Sequence, residues 1–159
     1  MQKLIFRNIL KAFILLFIAI GCKTESKQNI VHIENLEVIT NEHTQKFDKA
    51  WFNSEKQVVI YASHLGEFSM FNQNWKPFII ENPEIKFIFY YSGKNKNRLQ
   101  EWMNSQKFPS PILFDPDKLF YESNITSKVS SICFLVNDGE IIGLSNPTFP
   151  EFQERLNEL

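Results

Sequence analysis

The segment Gln57-Val-Val-Ile-Tyr-Ala62 is almost continuously β-branched or aromatic, and Ile85-Lys-Phe-Ile-Phe-Tyr-Tyr91 repeats that character. Runs of this length predict two strands buried on both faces. Between them, residues 67–80 carry Phe68, Phe71, Trp75 and Phe78 on one stripe at helical spacing. That stripe predicts a core-facing helix, kinked at Pro77 because the ring removes a backbone donor and crowds the carbonyl of Gln73. Residues 94–106, with Leu99, Trp102 and Met103 in register, predict a second helix, which Pro109 and Pro111 end before a short strand, Ile112-Leu-Phe114. Asp115-Pro-Asp-Lys-Leu-Phe-Tyr-Glu122 opens with an acidic cap and proline at the first helical position, so a third helix is expected to start there.

Ser131-Ile-Cys-Phe-Leu-Val136 and Glu140-Ile-Ile-Gly-Leu144 flank Asn137-Asp-Gly139, the pattern of a β-hairpin on a tight turn. Thr148 and Glu151 have capping-box spacing, and Phe152, Leu156 and Leu159 form the apolar stripe of a terminal helix. Upstream, residues 30–39 alternate imperfectly and predict an edge strand or two short ones. Residues 41–55, with Phe47, Trp51 and Phe52, predict a short helix or an irregular cover. Strand, helix, strand, helix, short strand, helix, hairpin, helix is an order that demands a mixed α/β sheet with helices on both faces. No internal repeat is present.

The amino terminus reads as an address. Residues 1–11 are basic, Ala12-Phe-Ile-Leu-Leu-Phe-Ile-Ala-Ile20 is apolar throughout, and the run stops at Gly21-Cys22. Such a run is short for a bilayer core of ~30 Å but suits a signal segment. Ala19-Ile20-Gly21-Cys22 resembles a bacterial lipobox, departing from it at Ala19, where a larger aliphatic residue is usual. The resemblance implies that residues 1–21 are a lipoprotein signal peptide and that Cys22 is acylated and holds the chain to a membrane of the cell envelope. The alternative is an ordinary cleaved signal or an uncleaved anchor that happens to end in Gly-Cys. Residues 22–29 then form the lipidated cysteine and a polar tether, and residues 30–159 the folded domain.

Composition narrows the function. At 159 residues and 43% hydrophobic, the chain suffices for one domain with a real core. All the charge of the first 21 residues is positive (Lys3, Arg7, Lys11), which leaves 14 basic and 18 acidic residues beyond them, a net of −4. That balance argues against a nucleic-acid surface. Two cysteines, Cys22 and Cys133, exclude both a disulfide framework and a cysteine-built zinc site.

The element order, with three segments of text, resembles the thioredoxin-like or redoxin superfamily, which includes peroxiredoxins and membrane-anchored thiol-disulfide oxidoreductases. Val58-Val-Ile-Tyr-Ala-Ser63 is similar to the strand that delivers the redox loop. Pro111-Ile-Leu-Phe-Asp-Pro-Asp117 is similar to the P-x-L-x-D-P-D segment, and residues 131–142 to the strand pair P-T-T-F-L-I-D-x-D-G-K-I-V. The resemblance implies a three-layer α/β/α fold with a central mixed sheet and a C-terminal hairpin plus helix.

Departures from that pattern carry the functional expectation. The family's reductases place Cys-x-x-Cys where the strand meets its helix, where backbone donors and the helix dipole stabilise a thiolate. Aligned on the strand end, those two positions are Leu65 and Phe68; aligned on the helix proline, they are Ser69 and Asn72. Neither alignment supplies a thiol, the peroxidatic Thr-x-x-Cys is missing, and Ser131 stands where the family carries a cis-proline. Cys133, in an apolar run, reads as a buried structural thiol, or, if it faced the loop, as a residue able to form a mixed disulfide. His64 in the loop, near Glu67, could act in acid/base work or bind a metal, yet it has no nucleophile at motif spacing, and His32 and His43 form no metal-ligand pattern with it. Phe68, Phe71 and Trp75 read as core.

The expected protein is therefore a membrane-tethered envelope lipoprotein whose degenerate thioredoxin-like domain serves as a binding or accessory module, without cofactor or metal. Its partners would be the membrane, through Cys22, and other envelope proteins. The alternative is a divergent thiol-disulfide oxidoreductase or peroxidase-like enzyme using Cys133 or a site near His64. A third reading is a small-ligand binder using the cleft at the former redox loop.

Overall fold

The computed structural model describes residues 28–159. The signal segment, Cys22 and all but the last two residues of the tether lie outside them. Six strands form one sheet: β1 (Glu37–Ile39), β2 (Lys56–Ala62), β3 (Lys86–Tyr91), β4 (Ile112–Phe114), β5 (Ser131–Asn137) and β6 (Glu140–Leu144), in the order β1-β4-β3-β2-β5-β6. β2, β3 and β4 run parallel, while β1, β5 and β6 are antiparallel to their neighbours, so the sheet is mixed as expected. β2 and β3 lie at its centre and are buried nearly throughout, which is what their continuous apolar text requires. Asp138 (φ 49°) and Gly139 (φ 77°) turn the β5–β6 hairpin in the left-handed region, the backbone that an Asp-Gly pair tolerates.

Helices cover both faces. On one, α1 (Trp75–Glu81), α2 (Lys96–Gln106) and α4 (Phe152–Leu156) pack Trp75, Leu99, Met103, Phe152 and Leu156 against Val58, Ile60, Phe87, Phe89 and Leu135. On the other, α3 (Leu119–Asn124), a 3-10 helix (Lys49–Asn53) and the incoming chain place Phe120, Phe52, Ile33 and Leu36 over Val59, Tyr61, Ile88 and Tyr90. The result is a three-layer α/β/α domain.

Three local expectations are corrected. Residues 67–80 are not one kinked helix. Ser69 caps a 3-10 turn (Met70–Asn72), its hydroxyl accepting from Phe71 N–H at 3.3 Å, and α1 starts afresh at Trp75. Pro77 is the third residue of α1, where the missing N–H has no helical partner to lose, so the proline opens a helix instead of bending one. The third helix starts at Leu119, not at Pro116. Lys118 takes a left-handed φ of 61°, and the buried Asp115 carboxylate reaches forward to Leu119 N–H (2.9 Å) and Phe120 N–H (2.8 Å). No capping box forms before α4, since Thr148 hydrogen-bonds Asn146 Oδ1 through both its N–H (3.0 Å) and its hydroxyl (2.9 Å). The edge strand expected within residues 30–39 is present as Glu37–Ile39, at one edge of the sheet, and a single bridge, Asn29 to Glu140, precedes it.

Candidate functional site

The site to examine is the loop at the end of β2, residues 63–72. Ser63 N–H donates to Ser130 O at 2.8 Å, and Met70 N–H donates to Ser131 Oγ at 3.1 Å, so the loop folds back over the start of β5. Of the two alignments, the one that gives Ser69 and Asn72 brackets this contact. The 3-10 turn thus sits beside Ser131, where the resemblance implies a cis-proline, with a hydroxyl accepting a backbone donor there. The described residues contain no cis peptide bond.

No sulfur holds the loop closed, and polar groups do so instead. Asn72 Nδ2 donates to the carbonyls of Gly66 (2.5 Å) and Leu65 (3.4 Å), while Asn72 Oδ1 accepts from Trp102 Nε1 at 3.2 Å, which ties the loop to α2. Ser69 N–H closes a turn on Gly66 O at 2.8 Å. Ser69 is fully buried and Leu65 half-buried against the core. Phe68 is the correction among the expected core aromatics, because it is 89% exposed at the loop's tip. Phe71 and Trp75 are core as expected. The helical spacing that grouped these three rings is also produced by a turn followed by a 3-10 turn, which aims Phe68 outward.

His64 is half-buried and its Nδ1 accepts from Gly66 N–H at 3.1 Å. That bond places the proton of the neutral ring on Nε2. Glu67 makes no ion pair with it, so the acid-base pair suggested by their proximity in sequence is not assembled. Cys133 is fully buried in β5, opposite Ile60 of β2, with its side chain in the core beneath α1 and α4. Burial pushes its thiol pKa strongly upward, the opposite of what a nucleophilic cysteine needs. Among the described residues, no group of three or more His, Cys, Asp or Glu side chains is placed to hold a metal ion.

Two hollows flank the loop. One, of about 310 Å³, lies between Ser63, Lys118, Tyr121 and Lys128. The other, of about 320 Å³, lies between Asn72, Trp75, Lys76 and Phe108. Both lie at the small end of the range of ligand-binding clefts.

A polar centre away from the loop was not legible in the sequence. His32 Nε2 lies 2.8 Å from Gln57 Oε1, and its Nδ1 lies 3.0 Å from Tyr90 Oη. Gln57 Nε2 donates to the carbonyls of Trp51, Phe52 and Ser54, which leaves its oxygen to accept from His32. The ring therefore carries its proton on Nε2, accepts from the tyrosine hydroxyl, and stacks on Phe52 at 4.7 Å. Burial lowers the His32 pKa, against the smaller opposing effects of the Gln57 bond and the Glu34 charge. The centre fastens the incoming chain to the sheet and has no open position for a ligand.

No protein-family model matches the sequence, and no curated protein matches it. Solved structures do. A thioredoxin-like protein in its oxidised form superposes with a TM-score of 0.62 at 9% identity, over 85% of this chain and 96% of the other. A secreted disulfide oxidoreductase of Mycobacterium tuberculosis gives 0.55 at 15% identity, over 71% and 88%. The exposed lipoprotein thioredoxin of Streptococcus pneumoniae gives 0.50 at 11% identity, over 68% and 87%. At these identities the likeness is one of fold.

Proposed function

Starting from a thioredoxin-like fold without a thiol in the loop after β2, we propose that this protein is a membrane-tethered lipoprotein of the bacterial cell envelope whose domain binds a partner and does not exchange disulfides. One observation carries the reading: the loop is closed by Asn72, Ser69 and Ser131 and presents Phe68, 89% exposed, at its tip. A fixed loop with one projecting aromatic ring is a contact anchor, because aromatic side chains bury large area at small entropic cost. The basic and apolar leader ending in Gly21-Cys22 supports the tether, as does the likeness to secreted and lipoprotein folds. No helix among the described residues is long and apolar enough to cross a membrane. The alternative, an oxidoreductase or peroxidase-like enzyme using Cys133 or a site near His64, needs Cys133 at the surface or a partner for the imidazole; the place of Cys133 in the core and the lack of an ion pair between His64 and Glu67 argue against it.

The test is capture from envelope extract by the full-length protein, with and without reductant. We expect a partner that survives reductant and is lost in Phe68→Asp, with no insulin reduction and no peroxide consumption. A partner released by reductant, or insulin reduction abolished by Cys133→Ser, would overturn the proposal. Acyl label on the protein is expected to disappear in Cys22→Ala, and label retained there removes the tether.

A further inference from the structure

We infer that the outer side of β6, with Ile142, Leu144 and Phe149, rests on the lipid surface to which Cys22 is attached; the inference builds on the tether proposed above. These three side chains are 40%, 56% and 60% exposed, on the last strand of the sheet and the turn that follows it. Two hollows meet at Leu144. One, of about 500 Å³, runs between Leu144, Phe149, Phe152 and Arg155, and one of about 330 Å³ runs between Gln28, Phe134, Ile142 and Leu144. Apart from the bridge at Asn29, no strand among the described residues covers the outer edge of β6.

The length of the tether says what covers this face. The chain enters the fold beside it, with Ile141 N–H donating to Gln28 O at 2.8 Å and Ile30 N–H to Gly139 O at 2.9 Å. Six residue steps separate Gln28 from Cys22, a reach of at most ~20 Å even if fully extended. A domain the size of residues 28–159 is roughly 35 Å across, from its expected radius of gyration. An acylated Cys22 therefore cannot let the Gln28 side face away from the bilayer, and among the orientations left it favours those that bring Ile142 and Leu144, beside Gln28, to the lipid surface. Held there, even a weak apolar contact is populated, because the tether supplies a high local concentration. The net negative charge beyond residue 21 gives no long-range attraction to anionic headgroups, so the contact is apolar in kind. Arg155, the cation beside the groove, is already paired with Glu158 at 2.7 Å.

The experiment uses the full-length acylated protein in vesicles of phosphatidylethanolamine and phosphatidylglycerol carrying brominated acyl chains. Phe149→Trp and Phe68→Trp are compared with the unsubstituted protein, whose own indoles set the background. Insertion to the depth of an interfacial apolar contact, ~5–10 Å, is expected to cut the emission added at position 149 by about twofold or more and to leave that added at position 68 unchanged. Equal quenching at both positions, or none at 149, overturns the docking. Acyl label at Cys22 is read in the same samples: label present with no difference in quenching refutes the docking and leaves the tether standing, while label absent refutes both.

Discussion

Alkylation of Cys133 separates a structural thiol from a reactive one. The residue is the third of β5, paired with Ile60, and β5 pairs with β2 over seven consecutive residues from Ser131 to Asn137. No fraying of an edge exposes such a position, so a reagent reaches it only when the central sheet opens. Opening of central strands costs the global free energy of unfolding, at least ~5 kcal/mol for an ordinary domain. At one factor of ten for each ~1.4 kcal/mol, native alkylation should run at least about 10³-fold slower than alkylation in concentrated urea. The assay is a time course with iodoacetamide, quenched, digested and read at the Cys133 peptide by mass spectrometry, with Cys22 as a second reading on the same digest. A native rate within about tenfold of the unfolded rate would refute the core placement and revive the mixed-disulfide mechanism. In the same frame, Cys133→Ser places a hydroxyl in apolar surroundings and should cost ~1–3 kcal/mol in urea unfolding, where a surface redox cysteine would lose activity and no stability.

His32 makes stability depend on pH. Its native pKa lies below the unfolded value of about 6.5, so the unfolded chain binds the extra proton first. Its contribution is complete above pH ~6.5 and declines as pH falls through the native pKa, so the urea midpoint should drop between pH 7.5 and 5, with a shallower slope in His32→Phe. A midpoint that rises on acidification contradicts that sign. Asn72→Ala removes three hydrogen bonds at a half-exposed loop, each worth ~0.5–1.5 kcal/mol at most. Amide exchange should accelerate about tenfold or more at residues 66–71 and stay unchanged in β5, and uniform acceleration would show that the loop is not an independent unit. Gly93→Ala sets a methyl carbon 2.1 Å from Tyr91 Oη and 2.3 Å from Cζ; the buried Tyr91 ring must move, at ~1–3 kcal/mol by thermal or urea unfolding, and no loss would mean that the ring yields freely.

What was readable in the sequence depends on how local its cause is. β2, β3 and the β5–β6 hairpin were legible because continuous apolar runs and an Asp-Gly turn carry their own structure. Phe68 was misplaced because a periodicity of three to four residues does not distinguish one helix from two successive turns, and the Ser69 cap that separates them looks like any loop serine. The Asp115-Pro116 pair signalled a helix correctly but three residues too early, since the intervening left-handed Lys118 has no sequence mark as glycine would. His32 was invisible for a different reason. Its partners, Gln57 and Tyr90, lie 25 and 58 residues away, and only the crossing of residues 30–36 over the sheet brings them together.

The two ends of β5 assign two different tasks. At Ser131 the strand carries the closed loop and Phe68. At Asn137 it turns into β6, beside which the chain enters at Gln28. Six residue steps of ~3.3 Å put these ends about 20 Å apart. On the binding reading proposed above, the orientation of the loop has to satisfy encounters with whatever Phe68 meets. An entry point at the far end of the strand meets that need: the contact proposed for β6 turns one side of the sheet to the membrane and leaves the aromatic tip clear of it. If the tether entered beside residues 63–72 instead, the same ~20 Å reach would hold Phe68 near the headgroups and exclude a protein of ordinary size. The two proposals therefore fit one geometry: a domain that binds through one loop has to present it outward, and the hydrogen bonds of Asn72 fix that loop while the entry at Gln28 lies at the other end of β5.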